Sequence, residues 1–333
     1  MPTDSDSAKG AMTSLVTGAN GKTGKQLIRM LLNRGDMVRA LVKRKEFVLQ
    51  LPQGVIPFLG DITDEHVLID ACKGVDNVYH LAAIVSEYRA VTEELMRVNV
   101  QGTDNIMKAC EAAKVKHMVF LSTLDVYGHD RKEVLTEESK LDPKDRYGLS
   151  KVLAEKEVLK YTGRVPFTIF RVGQIYGPGF EYYFFKVFKV IRDQKAYIIG
   201  DGKNKLNLIH IDDCLRAMIL ATTNPMSKYK IYNLTDGRPY TQLQLLELAA
   251  DIMKVPRPSR HISKFIVKMV AKQRGLDSDE IRFLTSNREI DASKVKKELG
   301  FEAKITVEDG AGAFIKQFLD EGAKANMSIE SLF

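Results

Sequence analysis

Residues 17–24 read TGANGKTG, and this glycine-rich stretch resembles two different phosphate-binding turns. A P-loop has the spacing G-x-x-x-x-G-K-T, and the position that would hold its first glycine is Val16. A dinucleotide-binding turn instead uses glycines for a tight turn, and the helix behind it offers free N–H groups to a pyrophosphate. Gly18, Gly21 and Gly24 fit this second pattern, so we expect the stretch to bind a dinucleotide.

Short β-rich runs and helical patterns alternate through the first half of the sequence. Such alternation is typical of parallel strands joined by crossover helices, and a nearly all-apolar run indicates a strand that is covered on both faces. The fold class that we predict is α/β, with a doubly wound parallel Rossmann sheet and a smaller C-terminal α/β substrate lobe. The predicted strands are 14–17, 37–42, 55–59, 77–81 and 117–122, and the predicted helices are 24–34, 64–72 and 91–113.

The regular alternation ends near residue 170. Glycine- and proline-punctuated stretches follow, with helices predicted at 212–221 and 242–253. We therefore expect a dinucleotide-binding Rossmann domain at 13–170 and a mainly substrate-binding lobe at 171–322, with some segments returning to the Rossmann domain. Mobile tails are expected at 1–12 and 323–333.

Composition limits the classes of protein to which this chain can belong. With 333 residues, 44% of them hydrophobic and 28% charged, it is expected to bury a substantial core as a globular protein. The formal charge of +7 suits an anionic cofactor or substrate as well as nucleic acid. We predict a small-molecule substrate, anionic or sugar-like, and no nucleic acid partner. No apolar run approaches the roughly 20 residues that cross a bilayer, so we expect a cytoplasmic location and no integral membrane association.

Cysteines and histidines do not form a metal-binding pattern. Cys72, Cys110 and Cys214 lie far apart within apolar or helical patterns, so buried free thiols are expected. His80 and His210 are interpreted as hydrogen-bonded packing residues, because neither has other ligand types nearby at the spacing that a metal requires. We therefore predict no metal.

A candidate catalytic set lies at the end of one predicted strand and the start of the next helix. The run 117–122 leads to Thr123, and 24 residues later YGLSK places Tyr147 and Lys151 four apart on one helical face. A free tyrosine is a poor acid or base at neutral pH because its pKa is about 10, and a nearby ammonium lowers that pKa. Tyr147 is therefore expected to exchange a proton with a substrate oxygen that Thr123 also hydrogen-bonds, while a nicotinamide carries the hydride.

The pattern Tyr-x-x-x-Lys occurs a second time, at Tyr182 and Lys186. This copy lies in an aromatic run, and no strand end with a hydroxyl side chain precedes it at the required distance. We therefore expect no catalytic role for the second pair. The first pair is favoured because the glycine turn and Thr123 accompany it.

Cations follow the second predicted strand, where a side chain meets the adenosine ribose in a dinucleotide-binding fold. An acidic residue at this place favours NAD, whereas a cation favours the 2′-phosphate of NADP. The sequence has Lys43, Arg44 and Lys45 here. We therefore predict NADP or NAD as the cofactor, with NADP favoured.

A series of short motifs runs in order along almost the whole chain. They are TGANGKTG at 17–24, GDI at 60–62, HLAA at 80–83, NVQGT at 99–103, STLDVYG at 122–128, YGLSK at 147–151, FRVGQIYGPG at 170–179, HIDD at 210–213 and YNLTDG at 232–237. Together they resemble an extended short-chain dehydrogenase/reductase of the NAD-dependent epimerase/dehydratase family, with features of its hydroxysteroid-dehydrogenase and reductase branch.

The resemblance implies a Rossmann domain with a nicotinamide cofactor, a small substrate lobe and a homodimer. It also implies Thr123, Tyr147 and Lys151 as the catalytic residues. The expected cofactor-binding residues are Gly18, Asn20, Gly21, Lys22, Thr23, Gly24, Lys43, Arg44, Asp61, Ile62, Leu81, Ala82, Ala83, Asn99, Tyr147, Lys151 and Val172, and the expected substrate-binding residues are Ser86, Asp125, Gln174 and Lys205.

Two positions depart from the motifs of the sugar-nucleotide members. Leu124 stands where dehydratases have an aspartic acid, and because leucine cannot donate a proton we expect no 4,6-dehydration. Leu206, in GDGKNKLNLIHIDD, stands where sugar-nucleotide enzymes often have an arginine that holds the nucleotide or its phosphates. This second departure weakens the resemblance to enzymes of nucleotide-linked sugars.

Three functions therefore stay open. The first is an NAD(P)-dependent oxidoreductase or epimerase that transfers hydride reversibly at a secondary alcohol or ketone carbon of a sugar-nucleotide-like substrate. The second is an NADPH-dependent ketone reductase or hydroxysteroid-dehydrogenase-like enzyme. The third is a non-catalytic dinucleotide-binding scaffold or sensor, against which an intact catalytic set argues.

Residues 254–274 carry many cations and no acids. The apolar residues among them recur near helical spacing, which indicates an amphipathic helix. Such a helix can be a lid over an anionic substrate, can lie on an acidic membrane surface, or can pack on its own domain with a solvated basic face. The role of the segment stays open. Its apolar residues are Ile262, Phe265, Ile266, Met269 and Val270.

Overall fold

The computed structural model describes residues 11–85, 92–267, 269 and 285–324. Its strands are β1 (Thr13–Thr17), β2 (Met37–Val42), β3 (Ile56–Leu59), β4 (Asn77–His80), β5 (His117–Thr123), β6 (Asp130–Leu135), β7 (Phe167–Val172), β8 (Gln174–Tyr176), β9 (Tyr197–Ile199), β10 (Lys205–His210), β11 (Lys230–Leu234), β12 (Pro239–Thr241), β13 (Arg260–Ile262) and β14 (Asn287–Ile290). Its helices include α1 (Lys22–Asn33), α2 (Glu65–Cys72), α3 (Thr92–Met96), α4 (Gly102–Ala112), α5 (Arg146–Leu159), α6 (Glu181–Arg192), α7 (Ile211–Thr223), α8 (Gln242–Met253), α9 (Ser293–Leu299) and α10 (Val307–Lys324).

A seven-stranded parallel sheet forms the centre of the molecule, in the order β3-β2-β1-β4-β5-β7-β11. The chain runs outward from β1 to β3 and then returns to the other side of β1 for β4. The direction of winding therefore reverses between β1 and β4, and in open α/β sheets ligands bind outside the carboxyl ends of the strands at this point. The predicted doubly wound Rossmann sheet is confirmed.

Apolar side chains cover both faces of this sheet. Leu27 of α1 and Leu215 of α7 belong to the core on one face. Leu68 of α2, Ile106 of α4 and Val158 of α5 belong to the core on the other face. All of these side chains are fully buried, and each contributes about 1.5–3 kcal/mol to the free energy of unfolding. Packing on both faces thus fixes the strands, and with them the ends of the loops that follow the strands.

The second half of the chain contributes to the large sheet and to a smaller lobe. β11 pairs with β7 and completes the large sheet. β8, β10 and β12 form a three-stranded sheet, and apolar side chains of α6, α8 and α10 pack together beside it. The expected boundary at residue 170 falls inside β7. The division into domains with those limits stays a prediction, and the expected tails lie outside the described residues except at 11, 12, 323 and 324.

The helix predicted at 91–113 is divided by a π-helical turn, Arg97–Gln101, between α3 and α4. Beside this turn the Thr103 hydroxyl donates to the Asn99 carbonyl at 2.6 Å. A side chain that bonds a carbonyl one turn earlier competes with the backbone hydrogen bonds of a helix and often bends it. The periodicity of the apolar residues could not reveal this interruption.

The cysteines and part of the segment 254–274 lie within the described residues. Cys72, Cys110 and Cys214 are free and buried. Of the segment, residues 254–267 and 269 are described, and Phe265 within it is 75% exposed. The described part of the chain therefore leaves this aromatic side chain uncovered.

Within 11–85, 92–267, 269 and 285–324, no helix is long and apolar enough to cross a bilayer. The same ranges contain no group of three or more His, Cys, Asp and Glu side chains that could hold a metal ion.

Candidate active site

The turn at 17–24 joins β1 to the amino end of α1, where the winding of the sheet reverses. Gly18 has a φ of +67°, and a Cβ there would lie 2.7 Å from backbone atoms of Leu81 and Ala82. A Cβ on Gly24 would lie 2.3 Å from the Gly18 carbonyl oxygen. Gly18 is thus required for the backbone conformation and Gly24 for the close approach of α1 to the turn.

The amino end of α1 fits a pyrophosphate. Gly21 is the N-cap residue, and within the described part of the chain no side chain caps the first turn. The N–H groups of that turn, together with the positive end of the helix dipole, form a site for an anion. Gly21 and Lys22 are exposed, and Thr23 is half-buried. These residues fit the dinucleotide that the glycine pattern predicts.

A buried hydrogen-bond network fixes the turn to the end of β4. Thr17 Oγ1 accepts hydrogen bonds from the N–H groups of Leu81 and Ala82, both at 3.2 Å, and lies 2.8 Å from His80 Nδ1. His80 Nε2 lies 3.0 Å from Thr103 Oγ1. Burial lowers the pKa of His80 to about 3, so its imidazole is neutral. His80 therefore links strand, turn and α4, in keeping with a packing residue.

The predicted cations after β2 make different contacts. Lys43 Nζ forms an ion pair with Asp61 Oδ2 at 2.8 Å, and Thr63 donates to the other carboxylate oxygen. Burial disfavours the charged form of Asp61, but hydrogen bonds from Lys43 and Thr63 hold the pKa of this carboxyl below its usual value. Arg44 is exposed, and its guanidinium lies 5.9 Å from the centre of the Phe47 ring. Two cations and one carboxylate therefore border the place expected for the adenosine ribose.

Thr123 and Tyr147 line the same cleft at the carboxyl ends of the strands. Thr123 ends β5, and its Oγ1 accepts from the Asp125 N–H at 3.2 Å. Tyr147 is the second residue of α5, whose N-cap Asp145 accepts from the Gly148 N–H at 2.6 Å. A strand end and a capped helix start thus place two hydroxyl groups in the wall of one cleft.

Lys151 lies one turn along α5 from Tyr147 and is only 3% exposed. Its Nζ donates to the Leu121 carbonyl at 2.7 Å and lies 3.9 Å from the centre of the Phe120 ring. Burial lowers the pKa of Lys151 to about 7, although the Glu155 carboxylate acts in the opposite direction. The ammonium therefore loses its proton readily near neutral pH in the free protein.

A buried ion pair between Glu155 and Arg171 fixes α5 to the large sheet. Glu155 accepts hydrogen bonds from Arg171 Nη2 at 2.7 Å and from Ser122 Oγ at 2.5 Å, and the charged side chains are 1% and 4% exposed. Arg171 Nη1 also donates to the Tyr127 hydroxyl at 2.8 Å. Such charge-assisted bonds satisfy both buried ions. These bonds join α5, the helix that carries Tyr147 and Lys151, to β5 and β7.

Asn99, which was expected to line the cofactor cleft, connects the loop after β4 to α5. Its Oδ1 accepts from the Ile84 N–H at 2.7 Å, and its Nδ2 donates to the Ile84 carbonyl and to Ser150 Oγ, both at 2.9 Å. Ser150 lies between Tyr147 and Lys151 in the sequence. Asn99 therefore helps to fix the position of α5 against the loop.

The remaining candidates for cofactor binding are buried or half-buried. Asn20 Nδ2 donates to the Phe47 carbonyl at 3.2 Å. Ile62 is buried, whereas Leu81, Ala82 and Ala83 are half-buried. Val172, at the end of β7, lines the same cleft as Tyr147.

The cleft continues from Thr123 and Tyr147 into the smaller lobe. Its empty volume, including the mouth, is about 840 Å³. Three of the predicted substrate-binding residues line it, whereas Ser86 lies outside the described residues. The three predicted substrate-binding residues in the lining are Asp125, Gln174 and Lys205. Leu124 and Leu206, the two departures from the sugar-nucleotide motifs, also line the cleft.

Arg288 is a cleft residue that the sequence analysis missed. Its Nη1 donates to the Leu124 carbonyl at 2.8 Å, to Asp125 Oδ1 at 3.0 Å and to the Gly128 carbonyl at 2.9 Å. Arg288 belongs to β14, which pairs with β6, and 163 residues separate it from Asp125. No local pattern connects residues so far apart. The other lining residues missed are Val85, His129, Gly173, Tyr183, Asn207 and Ser286.

A comparison with protein-family models decides the family. The model described as the NAD dependent epimerase/dehydratase family matches residues 14–235. The chain belongs to the NAD-dependent epimerase/dehydratase family. The matched region includes the glycine turn, Thr123, Tyr147 and Lys151. Members of this family and relatives of this chain include epimerases, reductases and dehydratases, and the chain is an enzyme.

Individual family relatives match nearly end to end. The chain is 27% identical over 320 residues to the 4-hydroxy-2-methyl-3-oxo-4-farnesyl-3,4-dihydroquinoline-1-oxide ketoreductase of Stigmatella aurantiaca, covering 91% of this chain and 95% of the relative. It is 25% identical over 311 residues to the N-acetyl-alpha-D-glucosaminyl-diphospho-ditrans,octacis-undecaprenol 4-epimerase of Escherichia coli O157:H7, covering 89% and 92%. A solved structure of MoeE5 in complex with UDP-glucose and NAD has a TM-score of 0.74 and 25% identity, covering 93% and 99%.

Proposed function

We propose that this enzyme catalyses reversible hydride transfer at a secondary alcohol or ketone carbon, with NADP or NAD as the cofactor. The observation that carries the proposal is that Thr123, Tyr147 and Val172 line one cleft at the carboxyl ends of the parallel strands. The nicotinamide cofactor, when bound, supplies or accepts the hydride. The glycine turn at 17–24 supports binding of its pyrophosphate.

In this proposal Tyr147 is the proton donor and acceptor. Its hydroxyl exchanges a proton with the substrate oxygen, and Thr123 hydrogen-bonds the same oxygen and orients it. Lys151 lies one helical turn away and, when protonated, stabilises the phenolate form of Tyr147. Negative charge on a ligand close to Lys151 would favour the protonated form of this side chain.

Ketone reduction is the reaction that the cleft favours. Its cations already have partners within the chain, because Arg288 pairs with Asp125 and Lys205 pairs with Glu289. A substrate diphosphate would have to compete with these carboxylates. Leu206 adds apolar surface in place of an arginine, and one relative is named as a ketoreductase. We therefore favour a ketone reductase.

Epimerisation of a sugar-nucleotide-like substrate is the second candidate. MoeE5, whose structure was solved with UDP-glucose and NAD, is similar over 93% of this chain. An epimerase retains its cofactor and reduces the same carbon from the opposite face, whereas a reductase releases the cofactor. Purified enzyme with tightly held cofactor therefore supports epimerisation, and free exchange of NADPH with consumption by ketones supports reduction.

NADP is the cofactor that we favour over NAD. Lys43 and Arg44 follow β2, where a 2′-phosphate would lie. Lys43 is paired with Asp61, whereas the exposed Arg44 guanidinium contacts a ring face and can reach an anion. Comparing the rates of NADPH and NADH oxidation with the same ketone tests this preference.

Replacing Tyr147 by phenylalanine tests the proposed function. Tyr147→Phe removes only the hydroxyl, and we expect turnover to fall by about 10²–10⁴-fold because a general acid or base is lost. Binding of NADPH, followed by its fluorescence, stays unchanged. Tyr197→Phe is the matched control, since Tyr197 is 44% exposed and lies outside the cleft as described. Equal turnover in Tyr147→Phe and wild type would contradict the proposed role of Tyr147.

A homodimer and a cytoplasmic location stay predictions. Leu149 is 42% exposed and Leu159 is 41% exposed, and both belong to α5.

A further inference from the structure

The smaller lobe contains a second cavity, which we name the apolar chamber. It lies between α6, α8, α10 and β10, and its volume is about 70 Å³, more than the liquid-volume share of two water molecules. Protein interiors contain few voids larger than a water molecule, because unfilled space loses contacts on every side. A chamber of this size is therefore suited to hold a ligand group. Residues that line it include Phe184, Phe188, Leu208, Leu248, Ala311 and Phe314.

The polar side chains of the chamber wall bond to the protein. Gln242 Oε1 accepts from the Ile199 N–H at 2.8 Å, and the Tyr176 hydroxyl donates to the Thr306 carbonyl at 3.1 Å. A buried water usually needs two to four polar partners, which this wall does not readily offer. The group that fills the chamber is therefore expected to be a hydrocarbon.

The chamber adjoins the cleft that holds Tyr147. Leu206 of β10 is 6% exposed and lines both cavities. On α6, Tyr183 lines the cleft and the next residue, Phe184, lines the chamber. The two cavities are thus adjacent and share Leu206 in their walls. An arginine at position 206 would bring a charge to this apolar boundary at a high desolvation cost, whereas leucine keeps it apolar.

We propose that the apolar chamber binds an alkyl group of the substrate, while the carbonyl of the same molecule lies beside Tyr147. Leu206 forms the passage between the two groups. The proposal rests on the proposed function and narrows its substrate class to ketones that carry an apolar chain of several carbons.

A series of linear methyl ketones of increasing length tests the proposal. We expect kcat/KM with NADPH to rise about fourfold for each added methylene until the chamber is full, because each buried methylene gains transfer free energy. Binding is measured separately by displacement of 1-anilinonaphthalene-8-sulfonate, which requires no turnover. If the wild-type enzyme reduces short ketones and its rate does not depend on chain length, the proposal that the chamber binds the chain is wrong. The proposed function then stays intact.

Two substitutions on α10 make the matched comparison. Ala311→Phe fills the chamber, since Ala311 lines it, whereas Ala313→Phe adds the same ring at an exposed position. We expect Ala311→Phe to reduce the preference for long over short ketones at least about tenfold, and Ala313→Phe to keep it. Equal effects of the two variants, or a preserved preference in folded Ala311→Phe, contradict the proposal.

Folding and turnover can be separated from chain binding. If Ala311→Phe fails to fold, Ala249→Val on α8 replaces this variant in the comparison. Ala249 also lines the chamber, and the change to valine fills less of the space than the change to phenylalanine. Ala249→Val is then expected to shorten the optimal chain. Wild-type enzyme that binds long ketones more tightly than short ones but reduces neither refutes the proposed function while supporting the chamber.

Discussion

Lys151 is a buried residue whose charge depends on its surroundings. The sequence predicts its place one turn after Tyr147, because the spacing of YGLSK is local. Its burial could not be predicted, since the contacts come from Phe120 and the Leu121 carbonyl on a separate strand. The Glu155 carboxylate offsets only part of the effect of burial on the pKa of Lys151. The same carboxylate also forms an ion pair with Arg171. The residue type was thus predictable, and its lowered pKa was not.

Lys151→Met is expected to stabilise the cofactor-free protein, and the gain depends on pH. In wild type the pKa of Lys151 is about 7 when folded and about 10.4 when unfolded. Between these values the unfolded chain binds more protons, so the destabilising effect of Lys151 is complete below about pH 7 and fades as pH rises. The gain in free energy of unfolding by Lys151→Met should therefore be largest at about pH 7 and smaller at about pH 9.

Urea unfolding of the variant and of wild type at both pH values checks this expectation. Lys156→Met is the control, because Lys156 is an exposed residue of the same helix. An equal gain at both pH values would mean that the lysine is not desolvated in the folded state.

Elements with strong local patterns match their predictions closely. The strand predicted at 37–42 is β2, Met37–Val42, and the helix predicted at 242–253 is α8, Gln242–Met253, which begins with a capping box at Thr241. β6 and β14 escaped prediction because they pair with each other across the chain and expose most of their side chains or leave them half-buried. Alternation of polar and apolar residues is weak in such strands.

The turn before α1 allows a test of cofactor binding. Gly24→Ala places a Cβ 2.3 Å from the Gly18 carbonyl oxygen, whereas a Cβ on Gly312 of α10 meets no atom within 4 Å. We expect Gly24→Ala to separate α1 from the turn and to weaken NADPH binding by at least about tenfold, a loss of about 1.4 kcal/mol. Gly312→Ala is the control and should leave NADPH binding unchanged. Fluorescence titration with NADPH measures both, and equal affinities of the two variants would show that the helix does not bind the pyrophosphate in this manner.

At the scale of the whole molecule, the cleft assembles segments that are far apart in the chain. Thr123 and Tyr147 come from the first half, Lys205 from β10 and Arg288 from β14. Motifs located the part of the site near the large sheet, because strand ends and the glycine turn are local features. The part of the site in the smaller lobe could not be located from motifs. It depends on the pairing of β14 with β6, which no short motif encodes.

The buried ion pair should control the stability of the whole fold. Glu155→Gln leaves the Arg171 guanidinium buried without its counter-charge, and we expect a loss of about 3–5 kcal/mol in the free energy of unfolding. Glu157→Gln is the control on the same helix, since Glu157 pairs with the exposed Lys160, and it should cost less than about 1 kcal/mol. Chemical denaturation compares the two. Similar values for both variants would show that Glu155 has no special structural role.

The position of β11 at the end of the large sheet affects how the protein is made. All residues of β7 are buried, and β11 is the neighbour that covers its outer edge. Until β11 has emerged from the ribosome, that edge has no partner strand, and an apolar strand with free backbone groups readily pairs with other nascent chains. We expect overproduced protein to aggregate during this interval, and slower translation or added chaperones to increase the soluble yield.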